Sequence, residues 1–201
     1  MNTTRTILLV LLAATPIACV PGEQDTGGDL PAEPVVTEEL GDGVHETIVD
    51  ATDEAAWVHF DFESRAHVEP ATPEDDPTWD LGFLRFNIKS NGGTSGSGGG
   101  AVAILEGTSF EAVTAAPQGG WLTDTATGPG MGGSPSANTS PGYVFDNWFA
   151  YDISTHTLQP AAGRVYVVRT PEGNFFKMEM LGYYDEAGTP SFVSFRWAAL
   201  P

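Results

Sequence analysis

One cysteine, eight basic residues and four histidines among 201 positions set the first limits on this chain. With Cys19 alone, no disulfide can form within the chain and thiolate metal clusters are excluded, so stability has to come from the core. The histidines, at positions 45, 59, 67 and 156, form no HExxH pair and no Cys/His cluster, which argues against a zinc enzyme. There is no GxSxG elbow, and Ser95, Ser97, Ser134 and Ser136 stand in glycine-rich loops without a recognisable His and Asp partner. Asp75-Asp76 lacks the alternating oxygen ligands and terminal Glu of a calcium loop. These absences lead to the expectation of a non-enzyme with no zinc, thiolate or calcium site. Sustained apolar spacing of three and four is missing too, so helices are not expected to build the domain.

Basic residues are scarce where acids are dense. Of 27 acidic residues, eighteen fall between Cys19 and Asp80, with Arg65 the only base among them, and the whole chain carries a formal charge of −19. Such a surface repels nucleic acid and anionic membrane, which are set aside as partners, and it keeps the chain soluble.

What the chain does have is punctuation, with 24 glycines and 15 prolines separating short apolar runs. Residues 1–18 read as a lipoprotein signal peptide: Arg5, an apolar stretch from Ile7 to Ala14, then Ala18 before Cys19, the expected site of lipidation. Pro16 departs from the usual Leu of such signals, and Val20 after the cysteine fits sorting to the outer membrane of a Gram-negative cell. Residues 19–42, rich in Pro, Gly and acid, are expected to be a disordered tether, leaving residues 43–201 as one domain. Within it, strands are expected at Thr47–Val49, Ala56–Phe62, Ala101–Leu105, Phe110–Val113, Trp148–Ile153, Arg164–Thr170, Phe175–Tyr184 and Phe192–Trp197, with one helical turn at Asp53–Ala56. The fold class is all-β, mainly antiparallel, with a long Gly/Pro-rich loop at residues 117–142.

The stretch WDLGFLRFNIKSNGGTSGSGGGA, Trp79–Ala101, organises the rest. Trp79, Leu81 and Phe83 share one face, then Leu84, Phe86 and Ile88 the other; a bulge between Phe83 and Leu84, or a strand covered on both faces, gives that change of phase. The glycine run that follows lacks both the Lys and the helix of a phosphate cradle and is expected to be a tight connection between strands.

With Val49-Asp50-Ala51-Thr52, Trp57-Val58-His59-Phe60 and the downstream RVYVVRTPEGNFFKMEMLGYY, this stretch resembles the HmuY family of haem-binding bacterial lipoproteins over roughly residues 44–198. The resemblance implies an all-β surface domain that captures haem and passes it to a TonB-dependent outer-membrane receptor. Haem requires an apolar slot, axial ligands from His, Met, Cys or Tyr, and polar groups for the propionates. In the family's carriers the axial ligands come from loops of the C-terminal half, and the matching loops here carry Met131 and His156. The competing readings are a surface loop histidine and a loop methionine without a ligand. His59 shares a strand face with Trp57 and Asp61 and is expected to be a partly buried histidine bonded to a carboxylate. A surface domain that binds a glycan or protein partner without haem, through exposed aromatics among Trp79, Trp121, Trp148, Tyr143 and Tyr151, is the alternative function.

Overall fold

Strands dominate because short β-branched and aromatic runs alternate between turn-forming residues, and the computed structural model, which describes residues 33–126 and 142–201, contains thirteen strands and no helix among them. The expected all-β, antiparallel class is the observed one. A seven-stranded sheet takes β1 (Val35–Gly41), β2 (Val44–Asp50), β7 (Ala101–Glu106), β8 (Trp121–Leu122), β11 (Arg164–Arg169), β12 (Phe175–Tyr184) and β13 (Pro190–Leu200), in the order β1-β2-β13-β12-β11-β7-β8. A four-stranded sheet takes β3 (Val58–Asp61), β4 (Ala66–Val68), β5 (Leu81–Leu84) and β6 (Asn87–Ser90), in the order β4-β3-β5-β6. The strands β9 (Phe149–Asp152) and β10 (Thr157–Pro160) form a separate hairpin. Every pairing is antiparallel.

The two larger sheets meet through aromatic rings. Phe62 stacks on Phe176 with centroids 4.8 Å apart, Phe83 stacks on Phe195 at 5.7 Å, and Phe60 meets Phe195 edge-on. All these rings are buried, and each contributes on the order of 1.5–3 kcal/mol by leaving water. The alternation of β12 follows from this packing: Phe176, Met178 and Met180 face the core while Lys177 and Glu179 face away. The outer face is not fully wet, however. A second apolar cluster of Ala103, Val165, Val167 and Ala198 lies under Phe110 and Val113, and the Lys177 ammonium donates to the Phe110 and Val113 carbonyls at 2.9 and 3.0 Å.

Several local expectations change. The phase switch after Phe83 is neither a bulge nor a doubly covered strand but a two-residue hairpin loop, with Leu84 opposite Asn87 across Arg85-Phe86. Arg85 holds a positive φ of 56°, and its amide and guanidinium donate to the Ala51 and Thr52 carbonyls at 3.0 Å, so tertiary bonds offset the strain. Val35–Gly41, expected within the tether, is an edge strand: Val35, opposite Val49, is buried, and pairing with β2 outweighs the acidic composition. Phe110–Val113 is a turn, although both end residues are buried, and Asp53 caps the Ala55 and Ala56 amides without starting a helix. Of the loop expected at 117–142, residues 127–141 lie outside the described residues; the described ends hold β8 and a Thr125–Gly142 bridge.

The glycine run is a tight connection, as expected. The Asn91 amide donates to the Asp76 and Trp79 carbonyls at 2.9 and 2.8 Å, and its oxygen accepts the Gly98 N–H at 3.0 Å. A Cβ at Gly96 would collide with that side chain, and one at Gly93, with φ +65°, would collide with the Asp124 carbonyl.

Candidate functional site

The β9–β10 hairpin places His156 beside an aromatic cleft. Asp152 pairs with Thr157, leaving residues 153–156 as the loop. The loop is built by local polar bonds: the Ser154 amide and hydroxyl donate to Asp152 at 2.8 and 2.6 Å, which holds that carboxyl below its ordinary range. The chain then turns through a positive φ of 57° at His156. This conformation brings the imidazole back over the hairpin, where its Nδ1 lies 2.6 Å from the Tyr151 hydroxyl.

Below this pair lies a cleft of about 450 Å³, within the range of small-molecule sites. Phe86, Phe149, Leu158, Tyr183, Tyr184 and Pro190 line its apolar body, with Tyr151 and His156 also on its wall. The elements that hold it are fixed from several directions. The Leu158 N–H donates to the Tyr184 hydroxyl at 2.9 Å, and the Trp148 indole donates to the Phe86 carbonyl at 2.8 Å. Those bonds tie the small hairpin to β12 and to the β5–β6 loop. The cleft therefore has aromatic walls with one imidazole and three tyrosines; none of its lining residues is Lys or Arg. Such a surface suits a large apolar ring system bound through its metal.

A larger cleft of about 640 Å³ lies elsewhere, with His59, His67, Trp57 and Lys89 among its walls and Asp50, Asp53, Glu69 and Glu74 around them. Contrary to expectation, His59 has no carboxylate partner: it packs edge-on against Trp79 at 4.8 Å, and its Nε2 has no hydrogen-bond partner. Burial lowers its pKa to about 4, helped by the charges of Lys89 and His67 and opposed by Glu74 and Asp76. The Lys89 ammonium stands 4.5 and 4.8 Å from the Trp57 and Trp79 rings, and burial lowers its pKa against the pull of Glu74 and Asp124. Size favours this cleft; chemistry does not. Its acidic rim would repel a ligand with carboxylate arms, whereas the smaller cleft offers apolar walls and an accessible imidazole.

Of the residues singled out in sequence, His156 stands at the aromatic cleft, while Met131 and Cys19 lie outside the described residues. The aromatic platform of the alternative function does not form as expected. Trp79 and Trp148 are buried, Trp121 packs on Phe175 under Arg169, and among these candidates Tyr151 is the exposed one. Tyr151 is instead the partner of His156. Positions 151 and 156 flank a tight turn, which is the one sequence signal that could have paired them. Phe86, Tyr183 and Tyr184 carried no such signal.

Comparison with known proteins agrees with this architecture. The HmuY protein family matches residues 53–197. An apo HmuY analogue from Tannerella forsythia superposes with a TM-score of 0.60 at 15% identity, covering 83% of this chain and 97% of the other. A Bacteroides vulgatus protein provisionally described as HmuY-like and haem-binding gives 0.56 at 19% identity, over 83% and 97%. A Bacteroides fragilis protein provisionally described as a lipoprotein gives 0.57 at 20%, over 81% and 92%. No curated protein matches by sequence. At these identities the structures establish the fold, and with the family match spanning most of the sequence, this chain belongs to the HmuY family.

Proposed function

We propose that this protein is a surface lipoprotein that captures haem in the cleft beside His156 and passes it to a TonB-dependent outer-membrane receptor. The observation that carries the reading is the Tyr151–His156 pair on the wall of an aromatic cleft. When Nδ1–H donates to the Tyr151 hydroxyl, the lone pair sits on Nε2, the arrangement of a histidine prepared to bind a metal. Haem iron would supply an electrophilic centre for that nitrogen, and the aromatic walls would cover the porphyrin. Met131, which precedes the hairpin in sequence, is proposed as the second axial ligand. Family membership and the haem-binding description of the Bacteroides vulgatus relative support the ligand class. They also support a binding protein in place of an enzyme. The lipoprotein description of the Bacteroides fragilis relative supports anchoring through Cys19 to the outer membrane of a Gram-negative cell.

Titration of the purified protein with haemin tests the reading. A saturable, sharp Soret band is expected, His156→Ala should weaken binding strongly, and Met131→Ala should weaken it less while altering the spectrum. Absence of any saturable change would leave the family membership as a statement about fold. Binding that survives His156→Ala but vanishes in His59→Ala or His67→Ala would move the site to the larger cleft, where those two histidines reside.

A further inference from the structure

Away from both clefts, three carboxylates converge at the junction of the two larger sheets. Asp61 ends β3, Glu63 stands in the turn after it, and Asp80 directly precedes β5. One carboxylate oxygen from each lies within 4.8 Å of the other two. Asp80 is only 2% exposed, and its two oxygens are treated differently: Oδ2 accepts the Phe62 N–H at 2.8 Å, while Oδ1 has no hydrogen-bond partner. Glu63 accepts from the Thr170 hydroxyl at 3.1 Å and the Asn174 amide at 2.7 Å, and Asp61 accepts the Ser64 N–H at 2.7 Å. Those bonds aim the two outer carboxylates without neutralising the cluster. A buried acceptor left unpaired, with two like charges beside it, is costly unless something positive joins the group.

We propose that Asp61, Glu63 and Asp80 form a binding site for a hard divalent cation, calcium. The donor set is all oxygen, which suits calcium and disfavours zinc, since no His or Cys takes part. Calcium also accepts irregular geometry and completes its shell with water, whereas magnesium demands a near-ideal octahedron. This departs from the expectation of no metal apart from haem iron, and the sequence could not show it: the three residues are not spaced as a loop motif, and the β3–β5 pairing brings them together. Thr170 and Asn174 flank the turn between β11 and β12, so a cation held here would fasten the four-stranded sheet to the seven-stranded one. The competing occupant is a proton. Burial, reinforced by Glu63, Asp61 and Glu172 against the bond from the Phe62 amide, raises Asp80 to about 9 when no cation is bound. The site is independent of the haem reading, because it shares no residue with the cleft at His156.

Equilibrium dialysis of EGTA-treated full-length protein against calcium chloride, with thermal melting alongside, decides between them. The expected result is one calcium bound per chain and a melting temperature raised by about 5–10 °C at a hundredfold excess over the dissociation constant. Magnesium chloride at the same concentration should give little shift. The exposed Glu63→Gln should melt like the wild type in EGTA yet lose calcium binding and the shift; Asp80→Asn should do the same if it folds. No saturable calcium binding between pH 6 and 9, an equal response to magnesium, or a full response in Glu63→Gln would each overturn the proposal and leave a protonated Asp80 as the occupant.

Discussion

At the scale of single residues, the phenol of Tyr151 and the burial of His59 make the sharpest claims. Tyr151→Phe removes the hydroxyl that hydrogen-bonds His156 Nδ1 but leaves the ring on the cleft wall. Haem affinity should fall about tenfold, the lower end of what loss of a ligand's hydrogen-bond partner costs. The Soret band should stay in place, because the iron ligand is unchanged; loss equal to that of His156→Ala would make Tyr151 itself the ligand. His59 predicts a pH dependence of stability. Its folded pKa of about 4 lies below the ordinary 6.5, so the unfolded chain binds more protons between those values. The contribution is present above about 6.5 and is lost as pH falls toward 4. The facing charges are Lys89 and His67, which lower it, and Glu74 and Asp76, which raise it. Partial solvent access to the cleft reduces the effect to about 1–2 kcal/mol between pH 7.5 and pH 5. Urea denaturation at both pH values should show that loss in the wild type and a smaller one in His59→Gln; equal losses would place the titration elsewhere.

Among the elements, the glycine loop after β6 is where backbone conformation and packing can be separated. Gly93 and Gly99 both hold positive φ, of +65° and +76°, but a Cβ at Gly93 meets the Asp124 carbonyl while one at Gly99 meets nothing within 4 Å. Gly99→Ala should therefore cost only the left-handed strain, about 1–2 kcal/mol. Gly93→Ala should cost clearly more, because the Asp124 backbone also accepts the Thr94 N–H and its carboxylate accepts the Ser90 and Val144 amides, so it cannot retreat. Equal denaturation midpoints for the two variants would show that the loop gives way. The same loop illustrates the limit of reading elements from sequence. Asn91-Gly92-Gly93 announces a tight connection, but the Asn91 side chain as its centre follows from contacts with Asp76 and Trp79, twelve or more residues upstream. The β5–β6 hairpin was hidden for a related reason: Arg85-Phe86 lacks the Asn-Gly or Gly that normally marks such loops, and its conformation is supported by carbonyls of Ala51 and Thr52.

For the whole molecule, the N-terminal segment carries two predictions. Deleting residues up to Asp42 removes β1 and leaves β2 as the sheet edge. That should cost about 1–3 kcal/mol from lost pairing with β2 and from losing the buried Val35. An unchanged urea midpoint would show that β1 adds nothing to the fold. Cys19→Ser should shift the protein from the membrane fraction to a soluble one if the anchor is a lipid on that thiol. A variant that stays membrane-bound, with no lipid on the wild type, would reject the proposed localisation.

The sequence by itself determined the class of fold, because period-two alternation, a high content of turn residues and the lack of helical spacing are local properties that survive any arrangement of the strands. It also marked Phe83, Phe176, Met178 and Trp197 as strand residues and His156 as a residue between strands. Tertiary structure decided what those positions face. Only the pairing of β9 with β10 brings Tyr151 onto His156, only the packing of His59, Lys89 and the loop at Pro73 around Trp79 buries a candidate binding surface, and only the meeting of β3 and β5 gathers Asp61, Glu63 and Asp80. Each of these depends on contacts between side chains that sequence spacing does not specify, since antiparallel register is set by distant turns and by the shape of the buried aromatic layer.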